Sequence, residues 1–176
     1  KTNVSRESIA NIAKKANINI IEYQNTPNEP EFINKVKELN CDIGVICSLN
    51  HKLCKELLES TRDGFINCHP SLLPKYRGAN PYFHIINNGE KASGITLHFA
   101  DESFDTGNII IQESFPLMEK ETMGMLFSRT NFMTADLLAK TLLRYQREGE
   151  IQSWPQGEGE YPTAPGLKGD LFINWN

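Results

Sequence analysis

Several features that define other protein classes are missing from this 176-residue sequence. No stretch of about 18 apolar residues is present, so we expect no membrane-spanning helix. No GxGxxG motif occurs, which argues against a dinucleotide-dependent dehydrogenase. The four cysteines form no CxxC pair, so free thiols in a reducing cytoplasm are expected rather than disulfides or a metal site. With a net charge of −4 and no basic stripe, the chain also lacks the surface that nucleic acids usually require.

Patterns of helix and strand alternate along the chain. Strands are predicted for residues 18–23, 41–48, 64–68, 94–99 and 108–115. Helices are predicted between them, the longest over residues 123–146 with Leu126, Phe132 and Leu137 on its buried side. This alternation predicts an α/β fold with a doubly wound, Rossmann-like, mostly parallel sheet and helices on both faces.

The most informative stretch is GFINCHPSLLPKYRG, residues 64–78. Its strand ends in Asn67 and His69, which lie two positions apart and therefore face the same side. Pro70 has no backbone N–H, so the strand stops there. An amide donor beside an imidazole that titrates near neutral pH suits acyl transfer, which needs an oxyanion donor and a group that moves protons. Asp105, in a loop between two later strands, is the carboxylate that the fold can bring to His69.

The motif NxHPSLLPxYRG, followed 36 residues after His69 by Asp105 in a DTG turn, resembles the catalytic domain of the 10-formyltetrahydrofolate-dependent formyltransferases. The resemblance extends over residues 1–175. It implies transfer of a formyl group from 10-formyltetrahydrofolate to a primary amine, without a metal. In such a reaction Asn67 and protonated His69 would donate to the oxyanion, and Asp105 would raise the pKa of His69 and take the amine proton.

The same resemblance implies sites for the two substrates. The residues expected to contact the folate are Ile46, Asn50, Leu53, Ala100, Ser103 and Phe104. Those expected to contact the acceptor, through its phosphate groups, are Ser71, Lys75 and Arg77. His98, within a strand, and His84, within a helix, are expected to be packing or surface residues, whereas the resemblance places His51 in the loop that forms the wall around the pterin.

The acceptor is left open by the sequence. Arg77, Gly78 and Ala79 resemble the branch of the family that formylates methionyl-tRNA, so that acceptor is expected first. A nucleotide-linked amino sugar is the alternative amine. A formyltetrahydrofolate hydrolase and a folate-binding domain without catalysis are further alternatives.

The ends of the sequence suggest a piece of a larger protein. Family members open with a βαβ segment, whereas this sequence opens with a helix, so we expect the N-terminal strand to be lacking. A sheet that lacks a strand exposes an apolar edge, which would favour a homodimer. We assign residues 1–149 to an N-terminally incomplete catalytic domain. Residues 150–176, rich in Gly and Pro, are expected to form an extended tail or linker toward an absent C-terminal domain.

Overall fold

A computed structural model describes residues 8–159 of the chain. Helices and strands alternate through most of this range, as the sequence predicts. In order, the elements are α1 (Ile9–Lys15), α2 (Pro30–Glu38), β1 (Gly44–Ile46), α3 (Lys55–Leu58), β2 (Phe65–His69), α4 (Pro81–Asn87), β3 (Ala92–Phe99), β4 (Ile109–Pro116) and α5 (Met123–Glu148). The α/β class is thereby confirmed.

The four strands form one mixed sheet in the order β1-β2-β3-β4. β1 and β2 are parallel, whereas β2 pairs with β3, and β3 with β4, in antiparallel fashion. For residues 8–159 the prediction of a mostly parallel sheet is therefore wrong. Two strands that follow each other through a short loop, as β3 and β4 do, pair antiparallel, while a parallel pair needs a longer crossover.

Side chains on opposite faces of β2 belong to two separate apolar clusters. Ile66 is buried with residues of α4, α5 and β3, including Ile85, Leu126 and Leu97. Its neighbour Phe65 packs instead against the cluster that α2 and α3 provide. Because successive residues of a strand point to opposite faces, helices cover both sides of this strand.

Helix α5 is the longest element, and its ends are capped as its sequence suggests. The Thr122 hydroxyl accepts a hydrogen bond from the Met125 N–H at 3.3 Å, and Gly149 ends the helix with a φ of 77°. Leu126 and Leu137 are buried as predicted. Phe132 is not, because its side chain is 81% exposed. Within residues 8–159, no helix has both the length and the apolar content that crossing a bilayer requires.

One strand prediction differs from the structure. Residues 18–23 are irregular and pair with no strand of the described residues, although their composition favours β-structure. The described part of the predicted tail, residues 150–159, contacts β4, because Trp154 and Ile109 exchange two backbone hydrogen bonds of 2.8 and 2.9 Å. The predicted folate and acceptor residues all lie in the described part, whereas the rest of the predicted tail, residues 160–176, lies outside it.

Candidate active site

The carboxyl end of β2 opens into a cleft of about 810 Å³. Asn67 and His69 both line this cleft, as their spacing on one strand predicts. His69 is buried and Asn67 is half-buried. A polar pair that is held on a strand end and largely shielded from water has the rigidity that a catalytic group requires.

The Asp105 carboxylate lies between the Asn67 side chain and the Gly78 backbone. Its Oδ1 accepts a hydrogen bond from Asn67 Nδ2 at 2.8 Å, and its Oδ2 accepts one from the backbone N–H of Gly78 at 2.7 Å. The residue has a left-handed φ of 56°, a conformation that Asp tolerates better than most side chains. The three predicted catalytic side chains therefore come together around one carboxylate that is only 9% exposed.

Both ring nitrogens of His69 face oxygen atoms. Nε2 lies 2.8 Å from the Tyr76 carbonyl oxygen, and Nδ1 lies 3.5 Å from Asp105 Oδ2. In the tautomer that this geometry assigns, Nε2–H donates to Tyr76 and Nδ1 presents a lone pair. Burial lowers the pKa of His69 below its usual value, although the Asp105 charge and the Tyr76 carbonyl act in the opposite direction. Burial in this site therefore favours the neutral form of the ring.

Asp105 is ionised for a related set of reasons. Burial alone would raise the pKa of its carboxyl group. The neighbouring His98 and His69 rings and the hydrogen bond from the Gly78 N–H together outweigh burial, and the pKa is lowered. The site thus contains a carboxylate and a neutral imidazole side by side, and either group can accept a proton.

His98 belongs to this cluster as well, which the sequence did not predict. Its Nε2 lies 3.0 Å from Asn67 Nδ2 and 3.3 Å from Asp105 Oδ1, while its Nδ1 lies 2.8 Å from the Phe99 carbonyl oxygen. With Nδ1–H donating to Phe99, Nε2 accepts one of the two Asn67 amide hydrogens. The signal was the antiparallel register, which places His98 opposite Asn67. The register of β2 against β3 could not be predicted from a single sequence.

The residues expected to contact the folate all border the cleft. They are Ile46, Asn50, Leu53, Ala100, Ser103 and Phe104. Leu53 is buried and Phe104 is 39% exposed, so the walls present apolar surface to the cleft. Lys52 Nζ lies 5.2 Å from the centre of the Phe104 ring, which links the two loops that form the walls.

The residues expected to contact the acceptor do not border the cleft. Ser71 is completely buried, and its hydroxyl donates to the Lys75 carbonyl at 2.7 Å, so it holds the loop and is not accessible to an acceptor. Arg77 is also buried, and its guanidinium donates to Gln156 and to the Gly157 carbonyl. The Lys75 side chain is exposed and lies 3.6 Å from Glu90. A predicted contact of Ser71 or Arg77 with the acceptor does not fit these buried positions.

The four cysteines are free thiols, as predicted. Two of them, Cys47 and Cys68, line the cleft from neighbouring strand ends. A hydrogen bond from Cys68 lowers the pKa of the Cys47 thiol to about 7, and the pKa of Cys68 is raised by the same contact and by burial. Among residues 8–159, no three His, Cys, Asp or Glu side chains are arranged to hold a metal ion.

Comparison with known proteins gives concordant results. The family model described as formyl transferase matches residues 3–142. The methionyl-tRNA formyltransferase of Thermodesulfovibrio yellowstonii is 39% identical over 149 residues, which are 84% of this chain and 48% of that protein. The methionyl-tRNA formyltransferase of Clostridioides difficile is 41% identical over 137 residues, 78% of this chain and 44% of that protein. The chain thus spans about half the length of the curated relatives it matches.

Solved structures share the fold. A phosphoribosylglycinamide formyltransferase from Anaplasma phagocytophilum superposes with a TM-score of 0.74 at 26% identity, covering 86% of this chain and 77% of that one. An N-formyltransferase from Helicobacter canadensis, in complex with folinic acid and dTDP-3-aminofucose, has a TM-score of 0.68 at 24% identity, covering 88% and 54%. The matched residues include the Asn67, His69 and Asp105 cluster and the whole cleft, and the chain belongs to the formyl transferase family.

Proposed function

We propose that this chain is the catalytic part of an enzyme that transfers a formyl group from 10-formyltetrahydrofolate to the amine of methionyl-tRNA. One observation carries the proposal. The Asp105 carboxylate, the Asn67 amide and the neutral His69 ring meet at the base of a cleft whose walls are the residues expected to contact the folate. This arrangement suits an amine that attacks a formyl carbon, because a hydrogen-bond donor and two proton acceptors surround one point.

Asn67 is the donor for the oxygen that gains negative charge during the attack. In the free protein its two amide hydrogens go to Asp105 Oδ1 and His98 Nε2. The formyl oxygen therefore competes for one of these hydrogens, and it does so best when it becomes an anion. A donor that binds the transition state more strongly than the ground state lowers the barrier, by about 3–4 kcal/mol at comparable sites.

Asp105 and His69 divide the work of moving the proton. The ionised Asp105 carboxylate can take the proton that the attacking amine loses. Asp105 can pass that proton to His69 Nδ1, which lies 3.5 Å from Asp105 Oδ2, while Nε2–H already donates to Tyr76. The imidazolium so formed gives the same proton to the folate nitrogen as its bond to the formyl carbon breaks, so one proton moves from the amine to the leaving nitrogen and the ring returns to its neutral form.

The choice of methionyl-tRNA as acceptor is supported by the names of the relatives. The curated proteins that match at 39% and 41% identity are methionyl-tRNA formyltransferases. A nucleotide-linked amino sugar is the second candidate, and one observation favours it. Among the described residues that line the cleft, Lys52 is the one Lys or Arg side chain, and the chain has a net charge of −4. Such a surface suits a small acceptor better than a polyanion.

The proposal is tested by offering different acceptors to the purified chain with 10-formyltetrahydrofolate while the release of tetrahydrofolate is followed. Methionyl-tRNA, an amino-sugar nucleotide, glycinamide ribonucleotide and water alone form the panel. We expect release with methionyl-tRNA, and none from the Asn67→Ala variant. Release with the amino-sugar nucleotide alone would establish the second candidate. Release with water alone would indicate a hydrolase, and folate binding without any release would indicate a binding domain; either result would refute formyl transfer.

A further inference from the structure

The segment after α5 returns to the active site. Trp154 pairs with Ile109 at the start of β4 through two backbone hydrogen bonds. This pairing carries Gln156 to the loop that contains Asp105, about fifty residues earlier in the chain. A residue that no catalytic pattern in the sequence indicated thus contacts the backbone of Asp105.

The Gln156 side chain uses its full hydrogen-bonding capacity there. Its Nε2 donates to the carbonyl oxygens of Asp105 at 3.0 Å and of Gly107 at 2.6 Å. Its Oε1 accepts from Arg77 Nε at 3.1 Å and from Arg77 Nη2 at 2.7 Å. Two donated and two accepted hydrogen bonds are the most that a primary amide can form. A half-buried side chain in this state is fixed in one orientation.

These contacts join the two parts of the protein that hold the carboxylate. On one side they fix the backbone of the turn that begins at Asp105, whose φ of 56° is an uncommon conformation. On the other side they fix Arg77, the residue before Gly78, and the Gly78 N–H donates to Asp105 Oδ2 at 2.7 Å. We propose that Gln156 is a positioning residue, which holds the Asp105 carboxylate at the distance from Asn67 and His69 that catalysis requires. The inference rests on the proposed formyl transfer.

Glutamine is the one residue type that can make all four contacts. Asparagine is one methylene group shorter. Glutamate could still accept from Arg77, but its carboxylate has no hydrogen to give to the Asp105 and Gly107 carbonyl oxygens. Methionine has a similar volume but can replace none of the four hydrogen bonds. Q156E therefore removes only the two donated hydrogen bonds, whereas Q156M removes the donated and the accepted ones.

The test compares Q156E and Q156M with wild type and with Q152E. Gln152 is exposed in the same segment, so Q152E introduces the same charge without touching the site. We expect kcat to fall about 10–100-fold in both Gln156 variants, since a misplaced catalytic group costs rate. KM for 10-formyltetrahydrofolate should stay within about threefold, because Gln156 does not line the cleft. Q152E should match wild type.

A second readout does not depend on activity. Hydrogen exchange of the Gly78 amide, measured by NMR, reports whether Asp105 still accepts its hydrogen bond. We expect the exchange to be about tenfold faster in Q156M and Q156E, which is the effect of weakening one hydrogen bond. Exchange at Ile109 and Trp154 should not change, because their mutual backbone pairing remains.

The outcomes distinguish the positioning role of Gln156 from the proposed formyl transfer. Unchanged kcat and unchanged Gly78 exchange in Q156M would overturn the positioning role. Faster exchange at Ile109 as well as at Gly78 would also overturn it, since the whole segment would then be released. If wild type transferred formyl to no amine, the proposed function would fail, and Gly78 exchange in the variants would still decide whether Gln156 holds Asp105.

Discussion

Replacing Asp105 with Asn should disable the site without unfolding the protein. Asp105 accepts hydrogen bonds on both oxygens, from Asn67 at 2.8 Å and from Gly78 at 2.7 Å. An Asn side chain offers one oxygen and one NH₂ group. The Gly78 N–H cannot turn away, so the new oxygen would face it and the NH₂ group would face Asn67. The Asn67 amide would then flip to present its oxygen, and its donor would leave the position that the reaction needs.

Two losses combine in this variant. Removing a general base costs about 10²–10⁴ in rate, and displacing an oxyanion donor costs about 10²–10³. Because both act on one step they do not add fully, so we expect kcat to fall at least about 10³-fold. The variant also loses the negative charge of Asp105, which raises the pKa of His69 against the effect of burial. The pKa of His69 should therefore fall further. Stability should change by no more than about 2 kcal/mol, since one buried charge is removed together with its charge-assisted hydrogen bonds.

The measurement is tetrahydrofolate release over a range of pH, together with urea unfolding and NMR titration of His69. Asp136→Asn is a matched control, because Asp136 is exposed and pairs with Lys140 on α5. The control should keep wild-type kcat. If D105N kept kcat within tenfold of wild type at every pH, the reasoning would be wrong. A pKa of His69 that rose in D105N would contradict the electrostatic part.

Four further predictions concern single residues. The pKa of His69 is below 6.5 in the folded protein, so the unfolded state binds more protons below that pH. The free energy of unfolding should therefore fall by up to about 1 kcal/mol between pH 7 and pH 5.5, and H69Q should show a smaller fall in urea titrations. Cys47, with a pKa of about 7, should react with iodoacetamide half-maximally near that pH, and C47S should remove this reaction. A Cβ on Gly107 would collide with the Phe99 carbonyl oxygen, so G107A should lose about 2–3 kcal/mol of stability. A Cβ on Gly124 in α5 would meet Thr122 Oγ1 at an uncrowded 4.0 Å, so G124A should gain about 0.5–1 kcal/mol in the same urea assay.

Patterns among neighbouring residues were sufficient to predict most of the helices and strands. The spacing of Asn67 and His69 on one strand predicted that both would face one cleft, and they do. The predicted bounds of the longest helix, residues 123–146, match those of α5, Met123–Glu148, to within two residues. These features depend on a few neighbouring residues, whose capping groups and side-chain direction follow from the backbone geometry of a helix or strand.

Other features depended on contacts between distant parts of the chain. Residues 18–23 have a composition that favours a strand, but no strand of residues 8–159 pairs with them. Phe132 has an apolar side chain, but it is exposed, and no other element of the described part covers it. Propensity cannot show whether a partner is in place, because pairing and packing are decided by tertiary structure.

The active site likewise contains residues that the sequence identified and residues that only the tertiary structure brought to it. Asn67, His69 and Asp105 were identified from the sequence because a motif and its spacing single them out. His98 joined them through the register of β2 against β3, and Gln156 joined them through the return of the chain after α5. Each of these two contacts bridges more than thirty residues, and a register shift of one position would turn His98 to the other face. The sequence alone determined the chemical groups of the site, and the tertiary structure decided which neighbours hold them in place.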